Sequence, residues 1–294
     1  MDLLGLEYFT RVAARKSITK VSKEYHVVPS TISNQIKCME EELETSLFYR
    51  GPNTMILTES GELVYRYACR VLSLVNSAVN ELKDQNNALE TINLYVETCP
   101  LTFPKIIKGF KELYPHVSWN LIQNLKQFNG KDSSCNLLLY ASDEKLDLPN
   151  NITLFEEECL IGVSAKNPLA SQKEVRLADL AQVPFIQRSS LSVDFNAFLN
   201  RKLEKAHFHP VSYDCCDHSI TLNEMIAQDM GIAFLPWLTW FHYNDPQIAL
   251  IRVPELNIVR YINISWEPDQ YLSKNARAFI AYTQEFFARL TEAR

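Results

Sequence analysis

The chain has 294 residues, which exceeds one ordinary core and fits two domains, or one small and one large domain. Hydrophobic residues make up 47% and charged residues 22%, with a net charge of −6, so the composition excludes a disordered or low-complexity chain. It contains seven glycines and no glycine pattern typical of dinucleotide sites, P-loops or serine hydrolases, which disfavours these classes.

The sequence shows no sign of secretion, of a membrane span or of a cysteine-based site. The first residues lack the features of a secretory signal, and the longest apolar stretch, 232–241, contains Pro236 and is shorter than the roughly 20 residues of a membrane span. We therefore expect a cytoplasmic protein with no membrane partner. The seven cysteines form no C-x-x-C pair, which indicates neither a disulfide framework nor a zinc site. We expect no metal and no cofactor.

The N-terminal residues predict three helices around a small core. Apolar residues recur every three or four positions in the first helix, at Leu3, Leu6, Phe9 and Ala13. Thr19 is the predicted N-cap of a short second helix over residues 20–26. A third helix follows, with Pro29 at its first position, where the missing N–H has no intrahelical partner to lose.

The third helix has one apolar and one polar face. The predicted buried face carries Ile32, Ile36, Met39 and Leu43, and the opposite face carries Ser30, Asn34, Lys37 and Glu41. A short helix, a tight turn and a longer helix form the helix-turn-helix layout, whose second helix enters the DNA major groove. An ordinary helical bundle with a solvated polar face is the alternative interpretation of this local pattern.

The polar face carries side chains suited to DNA. An asparagine amide fits adenine, a threonine methyl group fits the thymine methyl group, and a lysine reaches guanine or phosphate. These roles are predicted for Asn34, Thr31 and Lys37, with Ser30 and Ser33 bonding base edges or phosphates. The charge is less favourable, because residues 1–87 carry ten basic and eleven acidic side chains. Residues 15–37 nevertheless carry a local net charge of +4.

A wing and a long helix are predicted next. The segment Met55 to Leu57, after Pro52, predicts a strand of the wing, and Thr58 is the predicted cap of the following helix. That helix carries apolar residues at heptad spacing, namely Val64, Ala68, Val71, Val75, Ala78 and Leu82. Such a seam needs a partner helix to bury it, which favours dimerisation over one long core helix.

A family resemblance rests on motifs distributed along the chain. The run from Leu6 to Arg50 carries E-E-E-L and L-F-x-R in order, and L-T-x-x-G follows at residues 57–61. This region resembles the winged helix-turn-helix of LysR-type transcriptional regulators. Weaker blocks follow in the sequence, namely F-x-x-L-Y-P at 110–115, N-P-L-A at 167–170, L-A-D-L-A-x-V-P-F-I at 177–186 and M-G-I-A-F-L-P at 230–236.

The resemblance implies a sequence-specific DNA-binding transcriptional regulator that is controlled by a small-molecule effector and is not an enzyme. Double-stranded DNA and a second copy of the chain are the implied partners, as a homodimer or a homotetramer built as a dimer of dimers. The implied domains are a winged helix-turn-helix over 1–60, a linker helix over 61–88 and an effector-binding domain over 89–294. The implied DNA-binding residues are Lys20, Ser30, Thr31, Ser33, Asn34, Lys37 and Arg50.

The chain departs from the family pattern at the start of the third helix. It has Val28 and Pro29 where the family often has Ser-Gln, and Asn34 where arginine is frequent. The wing positions that are commonly basic hold Asn53 and Ile56. These departures predict fewer phosphate contacts and a changed operator preference.

Residues 91–294 predict an alternating α/β domain. Strand-like runs at 91–97, 117–123, 136–141 and 159–164 alternate with helical patterns, including 103–114, 222–230 and 273–290. Such alternation favours parallel sheets covered by helices. The family resemblance implies a periplasmic-binding-protein-like pair of subdomains, about 91–163 with 266–294 and about 164–265, with a small ligand in the cleft.

Three segments fit a ligand site, because ligands of α/β sheets bind beyond strand carboxyl ends and against helix N-termini. The candidate effector-binding residues are Thr98, Cys99, Leu101 and Thr102, then Arg188, Ser189 and Ser190, and finally Asp217, His218 and Ser219. Ordinary capping and turn chemistry is the alternative for each segment. The position of Cys99 near a helix N-terminus predicts a lowered thiol pKa. Redox sensing and plain buried packing both remain open for it.

Two other functions are weighed against the regulator. An enzyme is disfavoured, because no pairing of nucleophile with base and no metal-ligand spacing is found. A ligand-binding or protein-interaction module with weakened DNA binding is consistent with the acidic balance of residues 1–87.

Overall fold

A computed structural model describes residues 1–51, 54–85, 90–99, 102–123, 135–189, 193–241 and 245–292. The chain divides into two compact units. The first comprises Met1–Ala88, Asn129–Cys135 and Pro268–Ser273, and the second comprises Leu89–Phe128, Asn136–Glu267 and Lys274–Arg294.

The first unit is a winged helix-turn-helix followed by a long helix. Its elements are α1 (Leu3–Arg15), α2 (Ile18–Glu24), α3 (Pro29–Glu42), β1 (Phe48–Gly51), β2 (Thr54–Leu57) and α4 (Glu59–Gln85). Strands β1 and β2 pair antiparallel, with Arg50 opposite Met55. The predicted wing strand is therefore confirmed as β2, and its partner β1 contains the last three residues of the L-F-x-R motif.

The core of this unit follows most of the predicted apolar stripes, but Leu3, at the first position of α1, is 46% exposed and does not join the core. Phe9, Ile32 and Ile36 have no exposed surface, and Met39 is also buried. Leu43 is 36% exposed, contrary to the prediction, because it is the C-cap of α3 and lies beyond the turns that pack on α1.

Side-chain caps define where the helices begin. Asp2 caps α1 by accepting a hydrogen bond from the Gly5 N–H at 2.7 Å. The N-cap of α2 is Ser17 and not Thr19 as predicted, so this helix begins at Ile18. The extended backbone of Ser17 lets its hydroxyl accept from the Lys20 N–H at 3.3 Å. The predicted cap of α4 is confirmed, since the Thr58 hydroxyl accepts from the Gly61 N–H at 2.9 Å.

Helix α4 divides its apolar seam between two environments. Ala68 is buried and Val64 is half-buried, and both pack on the core of the helix-turn-helix. Further along the helix, Val71, Val75 and Leu82 are 40%, 39% and 61% exposed. The seam predicted as one continuous interface therefore closes the core of its own unit first and is solvent-facing only in its later turns.

Residues 268–273 pack against α4 within the first unit. The Arg70 guanidinium donates to the Asp269 carboxylate at 2.6 Å. The Ser77 hydroxyl donates to the Asp269 carbonyl at 3.0 Å and accepts from the Tyr271 N–H at 2.8 Å. The Tyr271 hydroxyl donates to Asp84 at 2.9 Å. This short segment is thus fastened to about four turns of α4.

The second unit contains the remaining strands and helices. They are β3 (Glu90–Val96), α5 (Phe103–Leu113), β4 (Val117–Ile122), β5 (Cys135–Ser142), β6 (Asn151–Ser164), β7 (Phe185–Arg188), α6 (Val193–Lys205), β8 (Tyr213–Cys216), α7 (Ser219–Ala227), β9 (Ala233–Pro236), α8 (Trp237–Phe241), β10 (Ile248–Ile251), β11 (Val259–Ser265) and α9 (Lys274–Glu292). Helix α7 begins at Ser219, three residues before the start predicted from its apolar pattern, because His218 caps it.

The sheet of this unit is mixed, and the expectation of parallel sheets is wrong for most pairs. Seven strands are arranged in the order β10-β6-β11-β5-β3-β4, with β9 also paired to β6. Strand β6 is antiparallel to β11, β9 and β10, and only β3 with β4 and β7 with β8 pair parallel among the pairs described. The 14 residues of β6 allow it to pair with β11 in its first part and with β9 and β10 in its second. Strands β6 and β11 therefore cross between the two subdomains.

Each subdomain has its own apolar core. In the first, α5 and α9 pack through aromatic rings, with Phe110 and Phe279 edge to face at 5.3 Å. In the second, Phe185, Leu180 and Ile232 are buried together with Ile161 of β6. Strands β6 and β11 run between the two cores. The residues of β11 are hydrogen-bonded to β5 on one side and to β6 on the other.

Candidate DNA-binding and effector sites

Helix α3 presents its predicted polar face to solvent. Ser30, Thr31, Asn34 and Lys37 are exposed, and Ser33 is partly exposed. Lys20 of α2 is also exposed, while the side chain of Arg50 lies outside the described residues. The Lys37 ammonium lies 3.5 Å from the Glu41 carboxylate one turn further along. Both side chains are about two-thirds exposed, so this pair is weak and leaves Lys37 available for another anion.

The orientation of α3 is fixed by one contact at its middle and another near its C-terminal end. The Gln35 amide donates to the Asp2 carboxylate at 2.8 Å, which ties α3 to the start of α1. Near the C-terminal end of α3, the Glu40 carboxylate accepts from the Leu47 N–H at 2.8 Å and from the Phe48 N–H at 3.3 Å. Glu40, the first residue of the acidic run at the end of α3, therefore has a structural function, because it holds the start of the wing against the helix.

The first predicted effector segment is buried. Thr98 and Cys99 are 7% and 3% exposed, and Cys99 has a left-handed backbone with φ of 55°. Thr102 precedes α5 and is fully buried, and its hydroxyl oxygen has no hydrogen-bond partner among the described residues. Leu101 lies outside the described residues.

The second and third predicted segments lie together. Strands β7 and β8 pair parallel, with Arg188 opposite Cys216, so the residues that follow them meet at one sheet edge. The Ser189 N–H and hydroxyl donate to the Cys216 carbonyl at 2.7 and 3.2 Å. His218 caps α7 by accepting from the Ile220 N–H at 3.4 Å, and Asp217 beside it is exposed. Ser190 and the side chain of Arg188 lie outside the described residues.

A buried ion pair between β6 and β11 was not anticipated from the sequence. The Arg260 guanidinium donates to the Glu157 carboxylate through Nε at 2.8 Å and lies 2.6 Å from it through Nη2. Their side chains are 11% and 0% exposed. Thr239 of α8 completes the cluster, since its N–H and hydroxyl both donate to Glu157 at 2.9 Å. Burial alone would lower the pKa of Arg260, but the adjacent carboxylate outweighs it and raises that pKa.

This cluster adjoins the first effector segment. The Cys99 thiol interacts with Thr239 and with the charges of Glu157 and Arg260. The structure thus brings Thr98 and Cys99 to the crossing strands, and brings Ser189 and His218 to the end of the β7 and β8 pair. Only the charged residues inside otherwise strand-like runs could have signalled the cluster in the sequence, at Glu157 and Arg260.

The cysteine chemistry differs from the prediction. Burial raises the pKa of the Cys99 thiol to about 12, and burial likewise raises that of Cys159 to about 12. The predicted lowering of the Cys99 pKa is therefore wrong, because desolvation of a fully buried thiol outweighs any effect of the nearby helix N-terminus. Buried packing is the interpretation that these pKa values favour.

Two features are absent from the described residues. No helix in the described ranges is long and apolar enough to cross a membrane. Within the same part of the chain, no group of three or more histidine, cysteine, aspartate or glutamate side chains is placed to hold a metal ion.

Comparisons with known proteins match both units. The family described as "Bacterial regulatory helix-turn-helix protein, lysR family" matches residues 3–62, and "LysR substrate binding domain" matches residues 91–288. An HTH-type transcriptional regulator of Bacillus subtilis, YwbI, is 29% identical over 97% of each chain. The transcriptional dual regulator GltC of the same organism is 26% identical over 99% of each chain.

A solved structure extends this similarity to the fold. A full-length OxyR variant from Pseudomonas aeruginosa superposes with a TM-score of 0.68 at 18% identity, covering 97% of this chain and 94% of that chain. The helix-turn-helix unit, the α/β unit of two subdomains and the two matched families agree with one another. The chain belongs to the LysR family of transcriptional regulators, which combine a DNA-binding helix-turn-helix with an effector-binding domain.

Proposed function

We propose that two copies of this chain read a pseudo-palindromic operator with the exposed face of α3 and change their assembly when a small molecule binds the second unit. The observation that carries the DNA-binding part is the solvent-facing row of Ser30, Asn34 and Lys37 on a helix anchored through Gln35 and Glu40. A helix held rigidly with hydrogen-bonding side chains outward is suited to base edges in the major groove.

Each residue of this surface has a role in the proposal. Asn34 bonds an adenine edge and Lys37 bonds guanine or phosphate. Ser30, Ser33 and Thr31 contact base edges, and Lys20 and Arg50 contact the phosphate backbone. Lysine contacts with phosphate supply affinity that depends on salt, because they release counterions from DNA.

The test of this surface is the double variant Asn34→Ala with Lys37→Ala. We expect binding to the DNA upstream of the chain's own gene, measured at fixed salt, to weaken by at least about fivefold, since one good bidentate base contact contributes about 1–3 kcal/mol. A plot of log affinity against log salt concentration also becomes shallower by about one unit if Lys37 contacts phosphate. Unchanged affinity with an unchanged slope rejects α3 as the recognition helix.

Dimerisation is assigned to the later turns of α4. Leu74 and Val79 are 54% and 43% exposed, and they extend the exposed part of the seam formed by Val71, Val75 and Leu82. Burying such a stripe against a second copy removes apolar surface from water on both helices. Sedimentation of Leu74→Asp tests the assignment, with Leu148→Asp as a control at a residue that is 51% exposed in the second unit. Dimers that persist in the first variant contradict it.

The effector site is proposed at the strand ends of the second unit. Ser189 and His218 supply polar groups at the end of the β7 and β8 pair, and the buried Thr98 and Cys99 lie at the crossing strands β6 and β11. Leu101, Thr102, Arg188, Ser190, Asp217 and Ser219 complete the proposed site. A ligand that binds only the folded state raises the melting temperature, so a thermal-shift screen of metabolites on the full chain tests this site. Hits whose shift is unaffected by Ser189→Ala and His218→Ala would place the ligand elsewhere.

A further inference from the structure

Val28 lies at the boundary between the turn and α3 with most of its side chain in solvent. It is 62% exposed, and as the N-cap residue of α3 it makes no side-chain capping hydrogen bond. Serine, threonine, asparagine and aspartate stabilise this position, whereas valine is among the least favourable residues there. In the unbound protein, Val28 therefore neither caps the helix nor contributes to the core.

The preceding residue shows that the turn itself does not require an exposed valine. Val27 is half-buried against the core of the helix-turn-helix, and its N–H donates to the Ser22 carbonyl at 3.0 Å. The Val28 carbonyl accepts from the Thr31 N–H at 3.0 Å, which fixes its backbone at the first turn of α3. Two adjacent valines are thus held rigidly, one directed inward and the other outward.

The surroundings of Val28 are also apolar at their surface. Pro29 occupies the first helical position and is exposed, and Thr31, in the same first turn, is also exposed. A valine has few side-chain rotamers, so little conformational freedom is lost when its methyl groups contact a partner. The leading edge of α3 is consequently a small, rigid surface of methyl and methylene groups beside the polar row of Ser30 and Asn34.

The occupant of this surface follows from the chemistry of the major groove. The base edges there present hydrogen-bond donors and acceptors, and the C5-methyl group of thymine is their apolar feature. Since a helix-turn-helix enters the groove by the first turns of its second helix, Val28 lies on the part of α3 that approaches the bases. Its side chain offers no donor or acceptor to any other base edge.

We propose that Val28 is a specificity-determining residue that reads the methyl group of one thymine in each half-site. This inference rests on the proposed role of α3 as the recognition helix. It adds a second apolar contact to the one predicted for the Thr31 methyl group, whereas Asn34 and Lys37 bond polar atoms only.

A base analogue isolates the methyl group. Preferred sites are selected with the full-length protein from a random duplex library, and each thymine of the selected site is then replaced in turn by uracil, which lacks only the methyl group. We expect one symmetry-related thymine position at which uracil weakens binding by about three- to fivefold, as expected for the loss of one buried methyl contact.

The variant Val28→Ser completes a double-mutant cycle. It removes the apolar contact, and because serine is a favourable N-cap it raises the melting temperature of the protein, so weak folding does not confuse the result. We expect Val28→Ser to bind the thymine and uracil sites equally at that position. The matched control is Val211→Ser, because Val211 is 55% exposed in the second unit, and it keeps the full uracil penalty.

The outcomes separate this inference from the one on which it rests. If Asn34→Ala with Lys37→Ala weakens binding but Val28→Ser keeps every uracil penalty, α3 reads DNA and the assignment of Val28 is wrong. If no position shows a uracil penalty in the wild-type protein, the assignment is also wrong. If the double variant binds like the wild type, the recognition-helix proposal fails and this inference fails with it.

Discussion

Replacing Arg260 by methionine is expected to destabilise the second unit strongly. The guanidinium is the cation paired with Glu157, whose side chain has no exposed surface. Methionine fills a similar volume without charge, so the change leaves a buried carboxylate with the N–H and hydroxyl of Thr239 as its described donors. Breaking a buried pair by removing one partner costs about 3–5 kcal/mol, because the remaining charge is desolvated and uncompensated.

A second variant distinguishes loss of charge compensation from loss of packing. Glu157→Gln combined with Arg260→Met removes both charges and retains an oxygen that accepts from the Thr239 N–H. Replacing both members of a buried pair is frequently close to neutral. We therefore expect the double variant to recover more than half of the stability lost in Arg260→Met.

The tryptophans make this unit separately observable in the full-length protein. All four lie between residues 119 and 266, within the second unit. Urea unfolding followed by tryptophan fluorescence therefore reports on that unit. With a slope of about 2–3 kcal/mol per molar urea, the midpoint of Arg260→Met falls by roughly 1–2 M. An Arg260→Met midpoint within about 0.3 M of the wild type contradicts the expected loss of stability. A double variant that is no more stable than Arg260→Met contradicts the assignment of that loss to the uncompensated charge.

Three further outcomes are expected. Gly61→Ala destabilises the first unit by about 1–3 kcal/mol, because a Cβ atom at this helical position meets the Leu47 carbonyl oxygen at 2.1 Å. Circular dichroism during heating measures this loss, and an increase in stability contradicts the close approach. Asp2→Ala lowers the stability of the same unit by about 1 kcal/mol, because it removes the α1 cap and the hydrogen bond from Gln35, whereas an unchanged melting temperature shows that these two bonds contribute nothing. At pH 8, iodoacetamide labels the exposed Cys38 and spares Cys99, because burial and a pKa of about 12 keep the Cys99 thiol protonated. Mass spectrometry of the labelled peptides checks this order. Cys99 becomes reactive above pH 8 only as the protein unfolds, so fast labelling of Cys99 in the native protein contradicts its burial.

Helix α3 shows why the helix-turn-helix was predictable. The positions of Ile32, Ile36 and Met39 follow from helical periodicity within fewer than ten residues, and Pro29 and Thr58 mark helix starts by local chemistry. The errors were also local. Ser17 and Thr19 are both good N-cap residues, and the choice between them depends on which backbone is extended.

In the second unit, the element types were predictable and their pairing was not. Alternating strands and helices are encoded in short apolar runs, but the antiparallel neighbours of β6 come from β9, β10 and β11, far along the chain. The segments 188–190 and 217–219 were predicted separately, one after a strand and one before a helix, and the pairing of β7 with β8 places Ser189 beside the start of the second segment.

The sequence by itself determined the helix-turn-helix, its polar outer face and the family, because these depend on periodicity, caps and motifs that lie close together in the chain. Only the tertiary structure decided that Glu157 meets Arg260, which is 103 residues away, and that Val28 is exposed while Val27 is packed inward. It also decided that the Cys99 pKa is raised and not lowered. The physical reason is that desolvation and charge pairing depend on which distant strands and helices surround a residue, and local sequence does not specify those neighbours.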